Sequence, residues 1–107
     1  MKASYWQRGE TLDYVNSTSD VIEAGTVLDL TSRIGIIEDN INPGEQGCVN
    51  VTGVFQMEKD TSTEIAMGDL VYFDGTKITK TSSDTPAGYA AKSAAEADKQ
   101  VLVKLLG

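Results

Sequence analysis

Short runs in which apolar and polar residues alternate dominate this chain, and each run has the length of a β-strand. Residues 11–15, 26–30 and 33–38 carry aliphatic or aromatic side chains at intervals of about two positions. Between residues 49 and 58 the apolar Val49, Val51, Phe55 and Met57 fall on odd positions, which predicts one long strand with a bulge or bend at Gly53. The runs at 11–15, 26–30 and 33–38 are each too short to form a helix comfortably.

Turn residues separate these runs. The segment 70–73 is followed by Asp74-Gly75 and then by 77–79, which predicts a hairpin whose turn needs a left-handed backbone. Asn42-Pro43-Gly44 predicts a second turn, because proline fixes φ at one corner and glycine supplies positive φ at the next. Polar connections are expected at 60–63 and 81–86.

The C-terminal third ends in a strand. Residues 100–106 alternate cleanly and predict a strand with one buried face. The alanine-rich segment 87–99 suits a helix by propensity, but Gly88 and Ser93 interrupt it, and we favour a strand followed by a loop. The predicted fold is all-β, a small antiparallel β-sandwich or barrel with short loops. We expect an N-terminal arm at residues 1–10 and a single β domain at residues 11–107.

Composition limits the partners. The chain has 107 residues and a formal charge of −7, which disfavours nucleic acid because phosphate binding depends on clustered lysine and arginine. No apolar run approaches the ~20 residues of a membrane span, and no secretory signal follows the N-terminus, so we expect no membrane partner and synthesis in a cytoplasm. The single cysteine, Cys48, fits a reducing compartment and is interpreted as a small apolar strand residue.

The chain offers little for catalysis. It contains no histidine, which removes the familiar nucleophile–histidine arrangements and histidine-ligated zinc, and it contains no phosphate-binding glycine loop. The carboxylates at 38–45 do not have the spacing of a calcium loop, and we interpret them as a solvated turn. Glu58, Asp60 and Glu64 could serve a hydrolase or lyase, a weaker hypothesis than charged loop positions in water. We therefore expect no enzyme and no cofactor.

The N-terminal arm, residues 1–10, carries two aromatic side chains ahead of the first strand. Tyr5 and Trp6 either fold back on the core of their own domain or dock against a partner, where such residues are frequent anchors. Lys2 and Arg8 suit an acidic partner surface. Tyr5, Trp6 and Arg8 are the candidate residues for contact with a partner protein or with a neighbouring subunit.

A series of glycine-punctuated segments resembles a known family. Its most specific part is Gly68 to Asp74, GDLVYFD, followed by Lys77-Ile78-Thr79. The other segments, in order, are WQRGETL at 6–12, IEAGTV at 22–27, RIGI at 33–36, GEQG at 44–47, VNVTGVF at 49–55, AGYA at 87–90 and VLVKL at 101–105. Together they resemble the small capsid cement, or decoration, proteins of tailed bacteriophages.

The resemblance implies an all-β fold, no catalysis, and attachment to the outside of the head shell, where such a protein stabilises the shell by bridging major capsid subunits. The implied partners are the major capsid protein and further copies of the chain, as a homodimer or a homotrimer. The implied location is the exterior of the virion capsid, after synthesis in the host cytoplasm.

A competing hypothesis is a small β recognition module for host-surface or receptor binding. Small β domains commonly display loops for recognition, and here loops 39–47, 59–67 and 81–86 would carry the specificity.

Overall fold

A computed structural model describes residues 1–106, and these residues form β-strands and connecting loops without a helix. It follows that none of the residues described belongs to a helix that could cross a membrane. The strands are β1 (Thr11–Val15), β2 (Val27–Asp29), β3 (Ile34–Ile37), β4 (Gln46–Asn50), β5 (Val54–Glu58), β6 (Leu70–Phe73), β7 (Ile78–Thr79), β8 (Thr85–Ala90) and β9 (Gln100–Leu105).

The strands form two antiparallel sheets that pack on each other as a sandwich, which confirms the predicted all-β fold. The first sheet has four strands in the order β1-β4-β3-β2, and the second has five in the order β5-β9-β8-β6-β7. The second sheet curls until its two edge strands approach each other. A bridge joins Lys59, just after β5, to Ile78 in β7, and the Asp60 amide donates to the Ile78 carbonyl at 2.9 Å. The five-stranded sheet is therefore part-way to a barrel.

The main core lies inside this curled sheet and is closed by β3 of the other sheet. Its buried side chains alternate along the strands, as a sheet with one buried face requires. They are Ile34, Ile36, Met57, Ile65, Val71, Phe73, Ile78, Ala87, Ala90, Ala94, Val101, Val103 and Leu105.

A second, smaller core lies on the other side of the four-stranded sheet. Ile37, Ile41 and Val49 are buried there, with Tyr14, Ile22 and Leu28 packed against them. The loop between β1 and β2 covers this face, because Ile22 exchanges backbone hydrogen bonds with Ile41 at 2.8 and 3.0 Å. Strand β3 is consequently buried on both faces, and all four of its residues are buried.

The buried Asn16 side chain holds the loop between β1 and β2 in place through four hydrogen bonds. The side chain of Asn16 is fully buried, and its Nδ2 donates to the carbonyls of Asp20 at 2.7 Å and Ile41 at 2.9 Å. Its Oδ1 accepts from the amide and the hydroxyl of Thr18 at 2.9 and 2.6 Å. All four of its hydrogen-bonding positions are thus satisfied without water.

Replacing this amide by a carboxylate should destabilise the fold strongly. In Asn16→Asp an oxygen would face the two carbonyls that Nδ2 now serves, at an expected loss of about 3 kcal/mol of unfolding free energy. Asn40→Asp is the matched control, since the exposed Asn40 only accepts, from the Ala24 amide at 2.7 Å, and aspartate keeps that acceptor. Urea unfolding followed by circular dichroism compares the two variants. Equal midpoints for both would contradict this role of Asn16.

Most predicted strands are present within one or two residues of their expected ends, including the hairpin and the strand in 87–99. The prediction of one long strand over 49–58 was wrong. Residues 51–53 instead carry the chain from the first sheet to the second, and Gly53 adopts φ of 112° at this crossing. The predicted connection at 81–86 was too long, because β8 already begins at Thr85. Residue 107, the last of the predicted β domain, lies outside the described residues.

Candidate interaction surfaces

The N-terminal arm is exposed along its whole length. The side chain of Tyr5 is 84% exposed and that of Trp6 is 89% exposed, and Arg8 is exposed as well. The arm is attached to β1 by a 3.3 Å hydrogen bond from Gln7 Nε2 to the Thr11 carbonyl. The first alternative for the aromatic side chains, packing on the core of their own chain, is therefore not the arrangement in this structure.

The arm also differs in charge from the rest of the chain. Residues 1–9 carry two basic side chains, Lys2 and Arg8, and no acidic one. From residue 10 onward the chain has the remaining seven basic and all sixteen acidic side chains, a side-chain charge of −9 (seven minus sixteen). A cationic arm is thus joined to an acidic body, and opposite charges of this kind favour association between molecules.

A second exposed apolar surface lies on the outer face of the five-stranded sheet. Registration across the strands places Leu70 opposite Tyr89, Tyr89 opposite Lys104, and Lys104 opposite Val54, so these four side chains form one row. Leu70 is 62% exposed, Val54 53% and Tyr89 43%. Met67, in the loop before β6, is exposed too. The sequence predicts 70–73 as a strand of a hairpin, and in the structure Val71 and Phe73 are the buried residues of that strand.

Beside this row the sheet has a shallow apolar depression of about 260 Å³. We call it the outer depression. Its walls are Leu70, Val71, Tyr72, Pro86, Gly88 and Leu106. The signal in the sequence was the run of four consecutive apolar residues in β6, which leaves two of them for the outer face whatever the register.

Of the carboxylates considered from the sequence, Glu58 ends β5 and the others lie in the connections between strands. The Asn40 side chain caps the Ala24 amide, and Asp60 Oδ1 accepts from the Ser62 amide at 2.9 Å and the Ser62 hydroxyl at 2.7 Å. Within residues 1–106, histidine, cysteine, aspartate and glutamate side chains nowhere gather in a group of three that could hold a metal ion. Cys48 is a half-buried free cysteine in β4, opposite Asp13, which confirms its placement in a strand.

The hairpin turn depends on a charged aspartate. Asp74 Oδ1 accepts from the amides of Thr76 and Lys77, both at 2.9 Å, and Oδ2 lies 3.0 Å from Lys77 Nζ. These interactions, the Thr76 amide first, hold the pKa of Asp74 well below its ordinary value of 3.8. Hydrogen bonds from Ser62 lower the pKa of Asp60, and the Ala66 amide followed by Lys80 lowers that of Asp69.

Stability should therefore fall in acid. A carboxylate whose pKa is lower in the folded chain than in the unfolded chain stabilises the fold when the pH is above the unfolded pKa, here 3.8. This stabilisation is lost as the pH falls toward the folded pKa. We expect the melting temperature to drop below about pH 4 and Asp74→Asn to reduce that drop. The melting temperature is measured from about pH 7 to about pH 2, a range that includes the titration of carboxylates. The exposed Asp13→Asn serves as control, and an identical drop in Asp74→Asn and wild type would contradict the assignment.

A family model described as "Phage cement protein" matches residues 6–105, a range that contains all nine strands. No curated protein and no solved structure matches the chain.

Proposed function

This chain belongs to the phage cement protein family, and from that membership we propose that it binds the outer surface of a tailed bacteriophage head shell and stabilises the shell by bridging major capsid subunits. The observation that carries the proposal is the family match, because it extends from Trp6 in the arm to the end of β9. A structural role in the phage capsid follows from the family. The outer position and the bridging of subunits are the finer steps that we propose.

The amount of exposed surface supports a role in binding. The accessible surface is 6880 Å², whereas a compact monomer of this mass exposes roughly 5,800 Å². The excess of about 1,100 Å² exceeds the ~800 Å² that one partner contributes to a standard interface. The molecule is also flat, with extents of 40 × 39 × 22 Å. A flat body with an extended arm and exposed apolar patches suits attachment to a large surface.

The mechanism is differential binding. A protein that binds the assembled shell but not the separated subunits lowers the free energy of the shell alone, by an amount set by its concentration relative to its dissociation constant. Several linked contacts raise the effective concentration at each further site, so an oligomer would hold more tightly than one copy. We propose that the oligomer is a homodimer or a homotrimer, and that Tyr5, Trp6 and Arg8 contact the shell or a neighbouring copy.

Deleting residues 1–9 should abolish or greatly weaken shell binding while leaving the fold intact. None of these side chains is buried, so the melting temperature should hardly change. Binding is measured by co-sedimentation of the purified protein with empty expanded heads. Val21→Ser, which alters an exposed apolar residue outside the arm, serves as the control and should bind as the wild type does.

Intact binding by the deletion variant would remove the arm from the proposal. Co-sedimentation with host cells, and none with heads, would instead favour the recognition module whose loops are 39–47, 59–67 and 81–86.

A further inference from the structure

We propose that Trp6 of one copy docks into the outer depression of a second copy of this chain. The inference deepens the proposed function, on which it rests for the need to oligomerise, and it names both the acceptor surface and the partner of the arm. It connects two features of the structure that neither the fold nor the family match explains. These are the almost fully exposed Trp6 and the uncovered, apolar outer depression.

The outer depression has the character of an acceptor for an aromatic side chain. Its lining is mainly apolar, and Leu70, Pro86 and Leu106 are among the residues that form it. At about 260 Å³ it is large enough to admit an indole ring. Leu70, at 62% exposure, is the wall residue with most to gain from being covered. Exposed apolar surfaces of this kind commonly mark interaction sites.

Trp6 is the complementary group. It is 89% exposed and stands next to Tyr5 on a segment that makes no strand. Large aromatic side chains bury 150–250 Å² each and are frequent anchors of interfaces when they enter a pocket. Leaving such a side chain in water forfeits that burial, so the arm gains most where an apolar hollow is available.

Three observations select a second copy as the partner. The arm leaves from β1, an edge strand of the four-stranded sheet, whereas the outer depression belongs to the other sheet, and the arm does not lie on its own body. The side-chain charge of +2 on residues 1–9 complements the −9 on the remainder of another copy. The excess surface of about 1,100 Å² covers what one partner contributes to a stable interface.

The chain contains a single tryptophan, so its fluorescence reports on the arm alone. We expect the Trp6 emission of the full chain to move to shorter wavelength as the protein concentration rises through the range of self-association. Leu70→Asp should abolish that shift and weaken self-association about tenfold or more, because it places a charge in the wall of the hollow. Val15→Asp is the matched control: Val15 is 53% exposed on β1, and its replacement should leave both quantities unchanged. Circular dichroism checks that each variant is folded.

Mixing two defective variants tests docking between copies. Trp6→Ala keeps the outer depression but lacks the indole that would enter it. Leu70→Asp keeps Trp6 but has a charged wall in its outer depression. Only when they are mixed can Trp6 of the second variant enter the depression of the first, and we expect the shift to shorter wavelength to return in the mixture.

Three outcomes would overturn the inference. Trp6 emission typical of exposed indole in an oligomer would mean that association uses another surface. A shift that is independent of concentration and present in a monomer would mean that the arm folds onto its own chain. A shift that appears only on adding expanded heads would assign Trp6 to the shell protein.

Co-sedimentation of the same variants keeps this test separate from the proposed function. If Leu70→Asp binds heads as the wild type does and its Trp6 emission is unchanged, the docking between copies fails and the cement function stands. If the emission and mixing results are as expected but no variant binds heads, the proposed function fails and self-docking stands.

Discussion

Gly88→Ala should prevent stable folding, with an expected loss of more than about 4 kcal/mol, a large part of the 5–15 kcal/mol by which domains are stable. Gly88 lies in β8 with φ of 146°, and a Cβ there would overlap the carbonyl oxygen of Lys104 and lie 2.9 Å from its carbonyl carbon. That carbonyl belongs to the backbone of β9 and cannot move without breaking the ladder between the two strands.

The same glycine follows an irregularity in the sheet. Val71 pairs with Gly88, but its neighbour Tyr72 pairs with Pro86, so the buried Ala87 is an extra residue in β8. Such bulges bend a strand and sharpen its twist, and here the bend lies where the five-stranded sheet curls around the core. A glycine at this point lets β8 and β9 approach closely.

Gly75→Ala provides a matched control for Gly88→Ala. Gly75 also has a positive φ, 106°, but no atom lies within 4 Å of the site of its Cβ. It therefore isolates backbone strain, for which we expect a loss of about 1 kcal/mol. Urea unfolding followed by far-ultraviolet circular dichroism gives both values. The close-approach explanation fails if Gly88→Ala is no less stable than Gly75→Ala.

Lys59→Met should be the second most damaging change. The Lys59 side chain is only 3% exposed, and its Nζ lies within hydrogen-bonding distance of four backbone carbonyls, which share its three N–H donors. These are the carbonyls of Asp60 at 2.7 Å, Glu96 at 2.9 Å, Ala95 at 3.1 Å and Asp98 at 3.2 Å. Three of the four belong to the loop before β9, so this loop is ordered around the ammonium group.

Methionine has a similar length but no donor, and it would leave these carbonyls facing an apolar group. We expect a loss of about 3 kcal/mol or more, together with faster hydrogen exchange in residues 95–98. Lys99→Met changes an exposed lysine in the same loop and should lose little. Equal stability of the two variants, or unchanged exchange in 95–98, would show that Lys59 does not organise the loop.

The local pattern of apolar and polar residues predicted most of the strands but not how the strands assemble into two sheets. Alternation identified β9 because Val101, Val103 and Leu105 are buried on one face, and such a face produces a pattern among neighbours in sequence. Alternation did not predict that the chain crosses between the sheets at Gly53. A glycine within an alternating run gives the same pattern whether the chain bulges within one sheet or passes to another.

The sequence pattern also did not predict which polar side chains are buried. Asn16 and Lys59 lie in polar stretches typical of loops, and only the carbonyls that meet around them in the folded chain explain their burial. The arm was a different case. The sequence identified Tyr5 and Trp6 as unusual but left two environments open, whereas the outer depression requires residues from β6, β8 and the C-terminal end together.

The shell's own stability tests the cement function most directly. Expanded heads that lack this protein are heated with and without the purified chain at saturating concentration, and the temperature at which the shell opens is followed by calorimetry and by release of packaged DNA. The proposed binding to the assembled lattice alone predicts a higher opening temperature that rises with added protein until the sites are full. An opening temperature that stays the same when the sites are occupied would contradict the account.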